Sequence, residues 1–394
     1  MKILTYSTLF PNAAFPQHGI FVAERLKHLL SGSDIEATVV APVPWVPMRS
    51  KLFPRYSKWT NVPKCDAIGS TDVLHPRYPV IPKIGMSVAP TLLALWTLNT
   101  LRRLQSDGSA FDLIDAHYFY PDGVAAALLG RWLDKPVVIT GRGTDLNLIP
   151  EHWMPRKQIQ WAASRAAQMA TVSESLRTVL TSLGVPESKT RTLRNGVDLE
   201  VFSPSERRKE LRQRRGISGV SLLTVGHLIE RKGHHLAIQA LQQLPSDVEL
   251  RIAGDGPMEA SLRETAAACS VSDRVDFLGR LERPALVDAY NAADILVLAS
   301  SREGMANVLL ESMSCGTPVV ATDVWGAPEV VGDRSGELVA SRDPADLAKG
   351  VERLLQRGVT RAGVRQHAEQ FSWQATTDGQ LDMFERALRA GAWR

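Results

Sequence analysis

The sequence predicts an α/β protein built from two doubly wound units with parallel sheets. Three observations predict it. Short β-branched runs alternate with longer stretches of helical spacing along the whole chain. Several of the short runs are almost continuously apolar, as strands buried on both faces must be. The alternation also runs through twice, with an Asn-Gly turn and a charged stretch between the two passes.

In the first pass, strands are expected at 2–7, 36–41, 112–117, 136–140 and 170–172, with helices at 21–30, 123–132 and 174–183. A Pro-rich segment occupies 42–83. A loop this long in a compact domain is functional or mobile, and Trp45, Phe53, Tyr56 and Trp59 argue against a fully solvated tail. The second pass gives strands at 221–225, 249–253, 275–278, 295–299 and 318–321, and helices at 234–243, 258–268, 284–291, 308–314 and 344–355. The boundary falls near 194–204, RNGVDLEVFSP. The run RRKELRQRR at 207–215 reads as a solvated helix face, since no interleaved aromatics support a nucleic-acid surface.

A chain of 394 residues has room for two or three domains, and 44% hydrophobic with 22% charged residues describes a soluble globular protein with a full core. Cys65, Cys269 and Cys315 are too few and too scattered for a disulfide framework or a zinc site, and fit a reducing cytoplasm. No secretory signal is expected, because ILTYST after Met1-Lys2 is strand-like. The most apolar stretch, 84–101, is broken by Pro90, Asn99 and three threonines, too often for a spanning helix. The net charge of +4 is uneven. Residues 1–198 carry 22 Lys+Arg and 15 Asp+Glu (+7), and residues 199–394 carry 24 and 27 (−3). A basic amino-terminal half suits an anionic partner or membrane surface; solubility alone explains it equally well.

The most informative stretch is 294–323, DILVLASSREGMANVLLESMSCGTPVVATD. Residues 294–300 read as a buried strand, 308–315 as a helix, and Gly316-Thr317-Pro318 as the stop before a second strand. A loop at a strand's carboxyl end that feeds a helix N-terminus is a ready anion site. Its amides suit a diphosphate, and Glu303 and Glu311, eight apart, suit sugar hydroxyls. A nucleotide-sugar-using enzyme needs that combination.

With RNGVDLEVFSP (194–204), VGHLIERKGHH (225–235), IAGDGPMEASL (252–262), FLGRL (277–281) and EGMANVLLESMSCGTPVVATD (303–323), the whole chain resembles glycosyltransferase family 4. These are retaining enzymes of the GT-B fold, two Rossmann-like domains facing a cleft whose closure excludes water. FSW at 371–373 resembles the family's last element, a helix that crosses back to the first domain. The resemblance implies an acceptor-binding domain at 1–195, a nucleotide-sugar-binding domain at 196–371 and a returning helix at 372–394.

The resemblance implies a role for each site residue. Glu311 accepts from the donor's ribose hydroxyls and Glu303 contacts the donor sugar; otherwise both are helix-start acids that the macrodipole favours. Gly304, Met305, Ala306 and Asn307 present amides to the β-phosphate, although the family often has an aromatic residue and Gly where Met305 and Ala306 stand. Arg231 and Lys232 neutralise the departing diphosphate, or form a solvated basic turn. The family's usual Arg position is His227 here, so Arg231 supplies the second cation or one phosphate contact is lost. Gly254 lies in a strand-to-helix turn and is mainly architectural. Arg280 lies where the base packs.

On the acceptor side, His117 holds a sugar hydroxyl or supports developing charge, or is a structural strand-end histidine. Asp145 orients or deprotonates the acceptor hydroxyl, or anchors a turn. Gly19 belongs to the loop that approaches the diphosphate from the first domain. No metal-binding constellation stands out, so a metal-independent transferase with no cofactor beyond its nucleoside-diphosphate-sugar donor is expected. With no obvious covalent nucleophile, same-face attack is favoured over double displacement. The expected acceptor is a glycan or lipid-linked sugar at the 42–83 segment, with no nucleic acid. A cytoplasmic protein is expected, with residues 92–101 and Arg102-Arg103 forming a peripheral contact with an anionic membrane or a core helix. The rival functions are a nucleotide-sugar epimerase of the same fold and a non-catalytic partner of another transferase. A dehydrogenase is disfavoured, because no GxGxxG follows the first strand.

Overall fold

The computed structural model describes residues 1–45, 58–69, 71–81 and 85–391. The chain divides into two compact units, Met1–Asn195 with Trp373–Arg394, and Gly196–Ser372.

The first unit carries strands β1 (Lys2–Tyr6), β2 (Glu36–Val40), β3 (Val43–Trp45), β4 (Cys65–Ile68), β5 (Thr71–Leu74), β6 (Arg77–Pro79), β7 (Leu113–His117), β8 (Val137–Gly141), β9 (Gln168–Thr171) and β10 (Thr190–Thr192). Eight of them form one sheet in the order β10-β9-β8-β7-β1-β2-β5-β4. All neighbours are parallel except β4 and β5. The central strands β7 and β8 are buried at every position, the two-sided burial that their apolar sequence signals. The helix Ile20–Ser31 contributes Val22, Leu26 and Leu29 to a core shared with Ile3, Val39, Leu113 and Val138. Met383, Phe384 and Ala387 of the last helix, Trp373–Ala390, join the same core.

One expectation for this unit changes. The 42–83 segment is not one loop. Its described residues form β3 to β6 and a short turn at Lys58–Asn61, and β4 pairs antiparallel with β5 at the sheet edge. Strands of three or four residues broken by prolines carry too little alternation to announce themselves. Trp59 packs on Phe15 and His18 with ring centroids 4.5 and 5.2 Å apart; Phe53 and Tyr56 lie outside the described residues. The apolar stretch at 84–101 becomes the helix Ala89–Ser106. Pro90 sits in its first turn, where a missing N–H costs nothing. Leu93, Ala94, Thr97 and Leu101 face inward, while Leu95 and Trp96 remain 48% exposed. No helix among the described residues is long and apolar enough to cross a membrane.

The second unit has six parallel strands, β11 (Val220–Val225), β12 (Val248–Ala253), β13 (Val275–Gly279), β14 (Ile295–Leu298), β15 (Val319–Thr322) and β16 (Gly336–Val339). Their order is β13-β12-β11-β14-β15-β16. Ile238, Leu241, Leu347 and Val351 from flanking helices close on Leu222, Leu250, Val297 and Val320 of the sheet. The basic run becomes the helix Arg208–Arg214. Lys209 and Arg214 are solvated as expected, but Arg208 and Arg212 turn inward to Asp294 at 2.5 and 2.8 Å.

Both sheets start in the middle, grow to one side and then jump to the other. The jump falls between β1 and β7 in the first unit and between β11 and β14 in the second. Ligands of open α/β sheets bind at the carboxyl ends of such strand pairs.

Candidate active site

In the second unit the loops after β11 and β14 meet. The chain leaves β11, makes a short turn at Glu230–Lys232, and enters the helix His234–Leu241 through Gly233 in the left-handed region. Lys232 Nζ lies 2.6 Å from Glu303 Oε1, which also accepts from Ser300 Oγ at 2.7 Å. Arg231 Nη1 lies 3.6 Å from Glu303 Oε2 and donates to the Arg302 carbonyl at 2.7 Å. The Ser301 N–H donates back to the Arg231 carbonyl at 2.9 Å, so the two loops form one piece. Glu303 is buried, which alone would raise its pKa, but Lys232 and Arg231 outweigh that and hold it below the usual carboxylate range. Two cations therefore face one ionised carboxylate.

Gly304, Met305 and Ala306 are buried and lead into the helix Asn307–Ser314. No side chain caps its N-terminus and no acid lies in its first turn, so the dipole there is not offset locally. Glu311, one turn in, is half-buried, and its Oε2 accepts from the Tyr290 hydroxyl at 2.8 Å.

The neighbouring strand ends are architectural. Gly254 has φ +155°, and a Cβ there would stand 1.9 Å from the Gly226 carbonyl oxygen. Its N–H donates to the Gly279 carbonyl at 2.8 Å, which ties the ends of β12 and β13 together. This geometry supports the architectural reading of Gly254. Arg280 is exposed just beyond edge strand β13, two strands from β11. His227 is exposed, with Nδ1 2.6 Å from the Asp255 carbonyl oxygen. Arg231 is thus the second cation beside Glu303.

In the first unit His117 ends β7 and is 1% exposed. Its Nε2 lies 3.2 Å from Asp115 Oδ2, and its Nδ1 lies 2.9 Å from Arg142 Nη2. A guanidinium only donates, so Nδ1 carries the lone pair and Nε2 the proton. Burial, reinforced by Arg142 and Arg25 against the pull of Asp115, brings the imidazole down to about 4. His117 is therefore neutral across the physiological range. Gln380, from the last helix, donates to Asp115 Oδ2 at 2.9 Å and accepts from Arg25 Nε at 2.9 Å. Arg142 Nη1 donates to Asn195 Oδ1 at 3.0 Å.

Asp145 has no exposed surface, and its carboxylate accepts from the backbone N–H groups of Phe119 at 2.6 Å, Gly143 at 2.6 Å and Arg142 at 3.1 Å. Those bonds support the turn-anchor reading of Asp145 over that of a base for an acceptor hydroxyl. Gly19 opens the helix Ile20–Ser31 at φ +64°, where a Cβ would stand 2.2 Å from the Leu9 carbonyl carbon. The Leu9 backbone excludes a side chain there, which is an architectural reason for glycine.

Sequence reasoning passed over Asp122, although Pro-Asp-Gly follows a strand-end histidine. It accepts from Thr8 N at 3.1 Å and Thr8 Oγ1 at 3.0 Å, across the β1–β7 junction. Burial pushes its carboxyl up to about 8 despite those bonds. Arg142 and Tyr290 were also missed, because their partners are distant in sequence.

Two doubly wound units of parallel strands, each with charged groups at its strand-order switch point, are the architecture of the GT-B fold. The family model for glycosyl transferases group 1 matches residues 208–371, and that for glycosyltransferase family 4 matches 22–201. The D-inositol 3-phosphate glycosyltransferase of Mycolicibacterium smegmatis is 31% identical over 76% of this chain and 73% of its own length. The putative teichuronic acid biosynthesis glycosyltransferase TuaC of Bacillus subtilis is 28% identical over 90% of this chain and 89% of its own. HepE of Anabaena, solved in complex with UDP, superposes with a TM-score of 0.75 at 21% identity, covering 98% of this chain and 100% of HepE. The chain belongs to glycosyltransferase family 4 and is a glycosyltransferase.

Proposed function

We propose that the enzyme moves a sugar, with retention, from a nucleoside-diphosphate sugar to an anionic glycan or lipid-linked acceptor. The Lys232–Glu303 pair at 2.6 Å, with Arg231 beside it, carries this reading. It lies at the switch point of the second unit, four residues before a helix whose N-cap residue makes no side-chain cap. A diphosphate arriving there draws Lys232 and Arg231 and frees Glu303 for sugar hydroxyls. Glu311 takes the ribose. The two cations and the helix amides meet the diphosphate charge without a metal.

On the acceptor side, Asp115 fixes the tautomer of His117, so Nδ1 can accept from a sugar hydroxyl once Arg142 Nη2 swings away. Relatives named for D-inositol 3-phosphate and for teichuronic acid support an anionic acceptor, as does the +7 charge of residues 1–198. The exposed Leu95 and Trp96, followed by exposed Arg102 and Arg103, support peripheral contact with an anionic membrane.

Calorimetry with UDP- and GDP-sugars, and with the free diphosphates, tests the donor site in chelator-treated protein. Loss of one charge-assisted contact corresponds to roughly ten- to a hundredfold in affinity. Lys232→Ala is expected to lose that much for donor and free diphosphate alike, and Glu311→Gln to lose it for every ribonucleotide. Unchanged binding in both variants overturns the site.

A further inference from the structure

Glu311 has a partner that no local motif announces. Tyr290, in the helix Arg283–Ala292, is fully buried. Its hydroxyl donates to Glu311 Oε2 at 2.8 Å across 21 positions of sequence. Ring and backbone are each held. It packs edge-on against Phe202 with centroids 6.2 Å apart, and its backbone carbonyl accepts from Thr317 Oγ1 at 2.6 Å. Burial and the Glu311 charge push the phenol well above its ordinary value, so Tyr290 remains a donor at any working pH.

The last torsion of a glutamate is broad and roughly two-fold, so an unheld carboxylate spins. A fixed donor on one oxygen restrains the carboxylate plane, and with it the directions in which the carboxylate's lone pairs point. A vicinal diol is the ligand that gains from this, because its two hydroxyls need acceptors at a set spacing. We infer that Tyr290 is a positioning residue that sets the Glu311 carboxylate for the 2′- and 3′-hydroxyls of a ribose, and thereby selects ribonucleotides over deoxyribonucleotides. This rests on the reading of Glu311 as the ribose contact.

The test uses the full chain, titrated with UDP, GDP and ADP, and then with the 2′,3′-dideoxy analogue of the tightest binder. The readout is the ratio of the two affinities, which partial unfolding leaves unchanged because both ligands see the same folded fraction. The wild type is expected to prefer the ribonucleotide at least tenfold, about the value of one hydrogen bond to a charged group. Tyr290→Phe is expected to cut that preference several-fold while the dideoxy affinity holds. Glu311→Gln should abolish it, and adding Tyr290→Phe to Glu311→Gln should change it no further. If Glu311→Gln leaves the preference intact, the ribose reading itself fails. If Glu311→Gln abolishes it but Tyr290→Phe does not lower it, or weakens both ligands alike, only the role of Tyr290 is overturned.

Discussion

Two buried histidines make this protein sensitive to acid. His117 and His234 are each brought down to about 4, in both cases mainly by burial; Arg142 adds to the effect at His117 and Lys232 at His234. An unfolded histidine titrates near 6.5, so between about pH 6.5 and 4 the unfolded chain binds more protons than the folded one, and stability falls as pH falls through that window. By pH 5 the loss amounts to about 2 kcal/mol for each histidine. Glu303, held low by Lys232 and Arg231, adds a further loss only below the ordinary glutamate range. Urea midpoints at pH 7.5 and 5.0 check this. His234→Gln is expected to shrink the difference between them, and an unchanged difference would contradict the burial argument. The same reasoning predicts that His117 contributes no limb to the pH profile of kcat between 5.5 and 8.

The last helix does more at the level of elements than close the chain. Trp373–Ala390 supplies Met383 and Phe384 to the first unit's core and stacks Trp373 on His28 at 5.1 Å. Through Gln380 it also bridges Arg25 and Asp115 beneath His117. Gln380→Leu leaves Arg25 Nε and part of Asp115 without partners in a buried place, which costs about 1–3 kcal/mol. The melting temperature is therefore expected to drop by several degrees. Because Asp115 no longer sits firmly against Nε2, kcat is expected to fall more than donor affinity. A lower melting temperature with an unchanged kcat would make Gln380 a packing residue only.

For the whole molecule, charge and exposed apolar groups lie in the same unit. The amino-terminal half carries the positive excess, and the helix Ala89–Ser106 turns Leu95 and Trp96 outward, each 48% exposed. Interfacial aromatics with adjacent arginines bind anionic lipid surfaces weakly and reversibly, at about 1 kcal/mol per basic residue. Co-sedimentation with phosphatidylglycerol vesicles at low salt is expected, with loss at high salt and in Trp96→Glu. Failure to sediment at low salt would end the membrane reading.

The sequence by itself determined most of the strands and helices, because long apolar runs and helical periodicity are local signals that tertiary packing has no reason to override. It also marked Lys232, Glu303 and Glu311, whose spacing around a strand end and a helix start is local too. It missed β3 to β6, β10 and β16, which are too short to show a period. It left Asp145 undecided between base and turn anchor, since only the fold shows three backbone N–H groups converging on it. Tyr290 over Glu311, Arg142 over His117, and Gln380 under Asp115 from 265 positions away became neighbours only when the sheets formed. A sequence shows which side chains can bond, but their positions come from chain reversals hundreds of residues apart, and only the tertiary structure decides those.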